Sequence, residues 1–505
     1  MTQFVSTPLW AHQVAGREHL YDQRKVLCAW DMGTGKTLFG LEKDQIFRDQ
    51  FADKTKSGTF KTLIVAPSGT HKGWIRTIRE NVDVPFCRLD RTNAGTRKLF
   101  LDPPSGKSNR DVPIGLRQTE SGIWLMHWEG LRLLKEELRE FGFHHIILDE
   151  CHRIKNPNTK TAAAAKYLSN PFITDMSGSP MTNAPKDLWS ILNHLNPKDR
   201  YYKSFWRFVH TYLEMEKSEA GYWIFGEPNE RWLEEGLPAI QPFYHRVALE
   251  DCYDVPKINE ITFDCELEGE QAALYQSMER DWLAWVEDNE INDYSPMTAP
   301  IVLAKLRRLQ QFAIAAMYQD GYHNVRKKDK STGEMVTVQM PTFRMKRPSA
   351  KIDVLEEIIR DNDTQKFVVF SQFKEPFYLL KEALSKGRES QRVECVLYTG
   401  DQDDIERDKS LDQFINGNAR VICLTYQAGG EGIDGLQKVS RNIVFIDEDW
   451  TPFANNQALA RLRRAGFAFD SLNVIRLRAV NTCDDERAFT IKAKGKNIRK
   501  MMGLE

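Results

Sequence analysis

The sequence predicts an α/β protein made of two lobes, each built on a parallel β-sheet that helices cover. Short apolar runs alternate with amphipathic stretches through roughly the first two hundred residues, and the same pattern returns after residue 349. The runs are continuously apolar rather than alternating, which is typical of strands buried on both faces. The predicted strands lie at residues 26–29, 62–66, 123–127, 145–148 and 172–176 in the first lobe and at 367–370, 395–398, 421–424, 443–446 and 474–477 in the second.

Composition excludes several classes of protein. The chain has 505 residues, which is room for about three domains. Its formal charge of −1 gives no global attraction to polyanions, so a nucleic-acid surface would have to be local. The eight cysteines include no CxxC pair, which argues against a zinc ribbon or a disulfide framework. No apolar run is long enough to span a bilayer and no signal-peptide pattern is present. We therefore expect a protein without a membrane partner, cytoplasmic in a bacterial or phage-infected cell and nuclear only if the source is eukaryotic.

Between the two predicted sheets the sequence changes character. The region is rich in aromatic and charged residues, with helical spacing at 270–285 and 301–316. A basic run at 326–330 precedes a Ser-Thr-Gly turn and a β-prone stretch, and it is equally consistent with a basic hairpin and with a solvated surface loop. We therefore predict four units: a first lobe over 1–195, a helical insertion region over 196–348, a second lobe over 349–480 and a C-terminal segment over 481–505.

A glycine-rich turn follows the first predicted strand. Residues 32–37 read Met-Gly-Thr-Gly-Lys-Thr, and such a turn brings backbone N–H groups close to a phosphate chain. Lys36 is expected to reach the β- and γ-phosphates of ATP, and Thr37 to ligate Mg²⁺ at the start of the following helix. The strict pattern has glycine where this chain has Trp30, so the turn alone is equally consistent with a surface loop. The other predicted nucleotide-binding residues of the turn are Gly33, Thr34 and Gly35.

An acidic pair, Asp149 and Glu150, follows the apolar run at 145–148. Asp149 is expected to hold Mg²⁺ through water, and Glu150 to orient or deprotonate the attacking water. A helix-capping acidic turn is the structural alternative. Because the glycine-rich turn and the acidic pair fall in the same α/β lobe, the sequence favours a site for ATP and Mg²⁺.

The second lobe contains the stretch Gln-Ala-Leu-Ala-Arg-Leu-Arg-Arg at 457–464. Arg461 and Arg464 are three residues apart and are predicted to share a helix face. If that face looks across the cleft between the lobes, it can stabilise charge on the γ-phosphate, an effect of roughly 10³–10⁵ in rate. Arg463 is predicted to point elsewhere, as a structural or DNA-facing residue. Taken alone, the stretch is also consistent with a basic helix that has no catalytic role.

Together these blocks resemble the Swi/Snf-type motors of helicase superfamily two, and the resemblance extends from Gln13 to the C-terminal helix. Two features favour this family over the DEAD-box RNA helicases. One is an acidic stretch at 447–452 that leads directly into the arginine motif, and the other is the large insertion between the lobes. The matching blocks, in the family's order, are residues 9–13, 63–68 with Trp74, 149–156, 177–180, 425–432 and 457–466.

The resemblance implies two RecA-like lobes, insertions that shape a DNA-binding cleft, and a C-terminal brace helix that packs back across the lobes. It also implies that Gln13 contacts the adenine, that Asp434 contacts the ribose, and that Gln457 belongs to the catalytic motif. None of the chain's departures from the family pattern removes a catalytic atom; they stand at Cys151, Ser179, Phe467 and 434–435.

A motor that tracks a phosphate backbone should contact it near strand ends. The candidate contacts there are Ser68, Lys72, Thr425 and Gln427. Ordinary loop polarity explains each of them equally well. A basic C-terminal tail can make phosphate contacts or form a solvated helix face, and its members are Lys492, Lys494, Lys496, Arg499 and Lys500.

By resemblance, the expected activity is ATP-driven translocation along duplex DNA, forked or branched DNA included, generally without strand separation. Remodelling of DNA or of protein–DNA complexes would follow from it. The alternatives are a strand-separating, branch-migrating or annealing enzyme on forked DNA or RNA, a clamp or loader that uses ATP as a switch, and the motor subunit of a defence complex. The compact chain suits a bacterial or phage protein, and its residues identify no protein partner.

Overall fold

The computed structural model describes residues 4–52, 59–89, 121–168, 170–217, 223–288, 299–328, 335–429 and 433–502. Within these ranges, seventeen strands carry the fold. In chain order the strands are β1 (Lys25–Trp30), β2 (Lys61–Ala66), β3 (Phe86–Arg88), β4 (Gly122–His127), β5 (His145–Asp149), β6 (Phe172–Met176), β7 (Leu213–Lys217), β8 (Trp223–Pro228), β9 (Tyr244–Val247), β10 (Lys257–Cys265), β11 (Ala316–Lys328), β12 (Met335–Lys346), β13 (Phe367–Ser371), β14 (Cys395–Tyr398), β15 (Val421–Thr425), β16 (Asn442–Phe445) and β17 (Ser471–Ala479).

Helices cover both faces of the sheets or connect the lobes. In chain order they are α1 (Ala11–His19), α2 (Lys36–Ala52), α3 (His71–Asn81), α4 (Trp128–Leu133), α5 (Lys135–Phe141), α6 (Lys160–Tyr167), α7 (Leu188–Leu195), α8 (Phe205–Tyr212), α9 (Leu237–Ile240), α10 (Gly269–Asp288), α11 (Ala299–Ile314), α12 (Ala350–Asp361), α13 (Glu375–Ser385), α14 (Asp404–Ile415), α15 (Tyr426–Gly429), α16 (Pro452–Leu459) and α17 (Cys483–Met501). In the described part of the chain, none of them combines the length and apolar character that crossing a membrane requires.

Two parallel sheets organise the lobes, as the sequence predicts. The first has the strand order β3-β4-β2-β5-β6-β1-β9 and the second the order β10-β17-β16-β13-β15-β14, with every neighbouring pair parallel. Each predicted apolar run overlaps a strand, and β2, for example, is buried along its whole length. Because the carboxyl ends of parallel strands meet at one edge, the segments after β1, β5 and β6 come together in the first lobe.

The region at 196–348 is less helical than the sequence suggests. It contains α10 and α11 where helices are predicted, but it also contributes β9 to the first sheet and β10 to the second. β9 has four residues, and β10 is an edge strand whose residues are mostly exposed. Neither strand therefore needs the continuous apolar run by which the other sheet strands can be recognised. Two further hairpins, β7–β8 and β11–β12, lie in the same region.

Helix α17 contacts both lobes. Near its start, Asp484 accepts a 2.6 Å hydrogen bond from Lys351 Nζ, and both side chains are buried in the second lobe. At its end, the carbonyl oxygen of Met501 accepts a 2.7 Å hydrogen bond from Trp232 Nε1, and both residues belong to the first lobe's hydrophobic core. The helix therefore spans the two lobes, in the position expected for the brace.

We expect Trp232→Phe to loosen the end of α17 from the first lobe. The change leaves the buried Met501 carbonyl without its donor, which costs about 1–3 kcal/mol. Amide hydrogen exchange of residues 495–501 should accelerate about tenfold, since 1.4 kcal/mol is a factor of ten in an opening equilibrium. Trp189→Phe is the matched control, because Trp189 lies in the same core and its indole N–H has no partner among the described residues. Equal acceleration in both variants would contradict the prediction.

Candidate nucleotide site between the two lobes

The glycine-rich turn links β1 to α2 and contains two glycines in a left-handed conformation. Gly33 and Gly35 have φ angles of 85° and 80°, in the left-handed region that favours glycine. Lys36 begins α2, and its Nζ donates to the carbonyl oxygens of Trp30 at 2.9 Å and Asp31 at 3.0 Å. The lysine therefore lies over the loop, at the N-terminus of a 17-residue helix whose dipole favours anions.

Trp30 stands where the strict pattern has glycine, and the structure shows why this is compatible with the loop. Its side chain is fully buried, with the ring centroid 4.5 Å from that of Phe39, and its Nε1 donates to His245 Nδ1 at 2.8 Å. The indole packs so closely on α1 that a Cβ added to Gly16 would lie 2.4 Å from it. The side chain thus points into the core, and the Trp30 carbonyl is the part that contacts Lys36.

Gln13, the predicted adenine contact, is buried beneath the same loop. Its Nε2 donates to the carbonyl oxygen of Gly35 at 3.1 Å, and its Oε1 accepts from the backbone N–H of Trp10 at 2.8 Å. The neighbouring ring nitrogen Nε2 of His12 lies 2.8 Å from the carbonyl oxygen of Thr34. α1 therefore supports the loop at two consecutive carbonyls.

The acidic pair follows β5 at the same edge of the sheet. Asp149 is its last residue, and the indole N–H groups of Trp74 and Trp128 donate to the Asp149 carboxylate at 2.8 Å and to its backbone carbonyl at 3.0 Å. Glu150 has φ 56° and ψ 53°, a left-handed conformation that is uncommon outside glycine. Thr37, the other predicted Mg²⁺ ligand, is the second residue of α2.

Glu150 is a buried carboxylate with several polar neighbours. Ser177 Oγ donates to its Oε2 at 3.2 Å, and His152 Nδ1 lies 3.2 Å from the same oxygen. Burial raises the pKa of Glu150, but hydrogen bonding and charge from His152, together with Lys36 and Ser177, outweigh it and lower the pKa well below its usual value. The carboxylate is therefore ionised at neutral pH. An ionised group with a low pKa is suited to accepting a hydrogen bond from the attacking water and is a weak base for removing its proton.

The predicted arginine pair lies beyond the end of α16. The helix ends at Leu459, so Arg461 and Arg464 occupy the turns that follow it, and the prediction that they share a helix face is wrong. Both nevertheless point to one place, since an NH1 of each donates to the carbonyl oxygen of Ile433, at 3.4 and 3.2 Å. A Cβ added to Gly33 would lie 3.5 Å from the Cβ of Arg464, so this turn faces the glycine-rich loop across the cleft.

Asp434, the predicted ribose contact, lies beside Arg464. Its Oδ1 accepts from the N–H of Gly435 at 2.9 Å and from Gln437 Nε2 at 3.0 Å, and Arg464 NH1 is 3.6 Å away. Partial burial raises the pKa of Asp434, but Arg464, Gln437 and Gly435 outweigh it and hold the pKa below its usual value. The preceding part of the predicted motif, 430–432, lies outside the described residues.

A cavity of about 160 Å³ separates the glycine-rich loop from α16. Arg463, predicted to point elsewhere, lines this cavity and bonds Glu250 at 2.5 Å. Sequence reasoning missed the pair because its members are 213 positions apart. The other lining residues are Asp31, Met32, Gly178, Ser179, Leu249, Phe453, Asn456, Gln457, Leu459 and Ala460.

The connector between the lobes crosses this site. Asp31, in the loop, accepts from Arg246 NH2 at 2.7 Å and from the backbone N–H of Leu249 at 3.0 Å. A few residues later, the Tyr253 hydroxyl lies 3.4 Å from the position that a Cβ on Gly33 would take. The segment that joins β9 to β10 is thereby fixed to the loop before the chain enters the second sheet.

The predicted nucleic-acid contacts fall in two places. Thr425 and Gln427, at the end of β15, line a cleft of about 900 Å³ in the second lobe. Ser68 and Lys72 follow β2 in the first lobe and are outside that lining, and Lys72 Nζ lies 2.8 Å from Asp408 of the second lobe. The remaining residues of the cleft are Leu306, Arg307, Gln310, Gln311, Gln372, Phe373, Lys374, Glu375, Thr399, Gly400, Asp401, Tyr426, Asp449, Trp450 and Lys494.

Residues of the predicted basic tail are bonded within the protein. Lys494 Nζ donates to the carbonyl oxygen of Trp450 at 3.3 Å, and Lys500 Nζ lies 3.0 Å from Glu227. Burial lowers the pKa of Lys494. Lys494 also lines the large cleft, so one member of the tail is close to Thr425 and Gln427.

Comparison with known proteins gives two family matches in chain order. Residues 12–316 match the SNF2-related domain, and residues 350–466 match the helicase conserved C-terminal domain. A solved structure, the Sulfolobus solfataricus SWI2/SNF2 ATPase core in complex with dsDNA, is similar at 20% sequence identity and a TM-score of 0.41, with 100% of this chain and 99% of that chain covered.

Two curated relatives align along almost the whole chain. DNA excision repair protein ERCC-6 of Homo sapiens is 24% identical over 511 residues, 96% of this chain and 32% of the relative. ATP-dependent helicase brm of Drosophila melanogaster is 23% identical over 501 residues, 95% of this chain and 28% of the relative. The chain thus spans about a third of the length of these relatives. With the SNF2-related domain matched over more than half of its residues, this chain belongs to the SNF2-related family.

Proposed function

We propose that this chain is an ATP-dependent translocase on duplex DNA that hydrolyses ATP in the cleft between its lobes. The observation that carries the proposal is the approach of Arg464, from the second lobe, to Gly33 of the glycine-rich loop in the first. A nucleotide held by both lobes couples hydrolysis to their relative movement. We also retain, as part of the proposal, the division into units at 1–195, 196–348, 349–480 and 481–505.

The residues of the first lobe fit a nucleoside triphosphate with Mg²⁺. The loop offers backbone N–H groups at a helix N-terminus, and Lys36 adds an ammonium group beside them. Thr37 and Asp149 supply a hydroxyl and a carboxylate, the hard oxygen donors that Mg²⁺ prefers. We propose that Thr37 ligates the ion directly and that Asp149 holds it through water. When bound, Mg²⁺ neutralises charge on the phosphate oxygens.

Glu150 and the arginine turn would act on opposite sides of the γ-phosphate. We propose that ionised Glu150 orients the attacking water and that Arg461 and Arg464 stabilise the charge that develops during transfer. Gln457 lines the cavity between the lobes and completes this set.

A chain of contacts connects Glu150 to the second lobe. Ser177 bonds Glu150 and also accepts from the backbone N–H of Ser179, which lines the cavity between the lobes. The His152 ring, beside Glu150, lies 4.3 Å from the ring of Phe453 on α16. A change at the γ-phosphate can therefore reach α16 through residues that touch one another.

Duplex DNA is the proposed track. The cleft that holds Thr425 and Gln427 is large, opens at the carboxyl ends of the second-lobe strands and includes Lys374 and Lys494. We propose that these residues contact phosphates, with Ser68 and Lys72 as the contacts of the first lobe. The names of the two relatives, a DNA excision repair protein and an ATP-dependent helicase, support DNA and ATP as the ligands.

The test is the ATPase rate measured in parallel with duplex, forked and single-stranded DNA and with RNA, combined with displacement of a third strand from a triplex. We expect duplex DNA to stimulate turnover at least tenfold and the third strand to be displaced without unwinding of the duplex. Lys36→Ala is the control and should abolish both signals. Stimulation by RNA alone, or unwinding without triplex displacement, would contradict the proposal and favour a strand-separating helicase.

A further inference from the structure

The hairpin formed by β11 and β12 belongs to neither lobe sheet. Its strands pair antiparallel from Ala316↔Lys346 to Lys328↔Met335, and in the described part of the chain they pair only with each other. At about 3.4 Å per residue the paired ribbon is roughly 40 Å long. An isolated two-stranded ribbon is at best marginally stable in water. This ribbon is therefore expected to depend on packing at one end.

The fixed end is rooted in the second lobe. Ala316, Met317 and Met345 are buried, and the two methionines pack in the core that also holds β13 residues. The guanidinium of Arg308, on α11, lies 5.0 Å from the centre of the Phe343 ring. Beyond this root, most of the ribbon side chains that the structure describes are exposed, and Tyr322 is 64% exposed.

The root adjoins the cleft proposed to hold DNA. Arg307 and Gln311 of α11 are part of the cleft's lining, and the helix ends at Ile314, two residues before β11 begins. One side of α11 thus borders the cleft while its end leads directly into the ribbon. A duplex lying in the cleft would pass the base of the hairpin.

The ribbon is positively charged in a chain whose net charge is −1. The strands 316–328 and 335–346 contain five basic residues and one acidic residue. The acidic residue, Asp320, stands near the root and lies 3.9 Å from Arg344. Three consecutive basic residues, Arg326, Lys327 and Lys328, close β11 at the far end of the ribbon.

We propose that the β11–β12 ribbon enters the major groove of the duplex DNA held in the cleft, with residues 326–328 neutralising phosphates at its rim. The proposal rests on the translocase function proposed above. The major groove, about 12 Å wide, admits a two-stranded β-ribbon. Pro341 lies in β12, and proline in an exposed strand is one of the features that discourage pairing with a further strand. The ribbon is therefore better suited to a nucleic-acid groove than to an added β-strand.

Two variants of the full chain test the proposal. In the first, Arg326, Lys327 and Lys328 are all changed to Glu. In the second, residues 320–342 are replaced by Asn-Gly, which joins the paired residues Gln319 and Phe343 and keeps the root. The matched control makes the same charge change on the same lobe, at the exposed residues Lys381, Lys386 and Arg388.

Binding to a 30-base-pair duplex is measured as a function of salt. Both ribbon variants should bind at least tenfold more weakly than the parent at 100 mM salt, and the control should lose clearly less. The slope of log K against log salt should fall in magnitude by about 2.7, because each lost phosphate contact contributes about 0.9. Parent-like affinity and slope in both ribbon variants would overturn the inference.

Dimethyl sulfate footprinting separates groove insertion from contact with phosphates alone. Guanine N7 faces the major groove, so the parent should protect a short run of guanines that the shortened variant leaves reactive. An absence of protection by the parent overturns insertion of the ribbon.

If the parent shows no duplex-stimulated ATPase, the translocase proposal itself fails. If stimulation is present and the ribbon variants bind like the parent, only this inference fails.

Discussion

Glu150→Gln should retain ATP binding within about threefold of the parent while hydrolysis slows by roughly 10²–10⁴-fold, the range for loss of a positioned acid–base group. Gln keeps the shape of the side chain and can still meet Ser177, which lies 3.2 Å from Glu150 Oε2. It removes the charge that Lys36 and His152 stabilise. The water then loses its strongest acceptor, and the nucleotide remains held by the loop.

Single-turnover hydrolysis and equilibrium nucleotide binding measure these two effects separately. With ATP bound but not cleaved, the variant should stay closed on DNA, and dissociation from duplex should be slower than for the parent. Glu129→Gln is the matched control, since Glu129 is an exposed carboxylate of the same lobe. Normal turnover in Glu150→Gln would remove this residue from the catalytic set.

The two sheets could be predicted because strands buried on both faces must be continuously apolar. That requirement is local, and it marks β2 or β13 without any knowledge of their neighbours. It does not apply to β10, an edge strand with mostly exposed residues. The pattern of continuous apolar runs therefore identifies the central strands of each sheet but does not identify an exposed edge strand.

The individual residues of the candidate site could be predicted from the sequence, but the contacts between residues distant in sequence could not. The loop, the acidic pair and the arginines are short strings whose chemistry is contained in adjacent residues. The ion pairs Asp31–Arg246 and Arg463–Glu250 join positions more than two hundred residues apart, and nothing local marks them. The spacing of Arg461 and Arg464 predicts a shared helix face, but α16 ends at Leu459 and both arginines lie in the turns that follow it.

Arg464→Ala should lower the rate of hydrolysis by roughly 10³–10⁵-fold, the contribution of an arginine that stabilises phosphoryl transfer. ATP affinity should change by less than about tenfold, because the contacts proposed for the bound phosphates come from the first lobe. Arg464→Lys should recover little of the loss, since an ammonium group cannot reproduce the planar, forked donors of a guanidinium.

The ratio of the two effects is the informative quantity. A group that acts only in the transition state lowers turnover without weakening binding, whereas a ground-state contact lowers both together. Arg478→Ala is the matched control, because Arg478 bonds Asp264 at the exposed edge of the same lobe's sheet. Equal losses of binding and turnover in Arg464→Ala would place this arginine outside the transition state. Since the Arg464 Cβ already lies 3.5 Å from the position that a Cβ on Gly33 would take, such a result would mean that the cleft does not close further around the γ-phosphate.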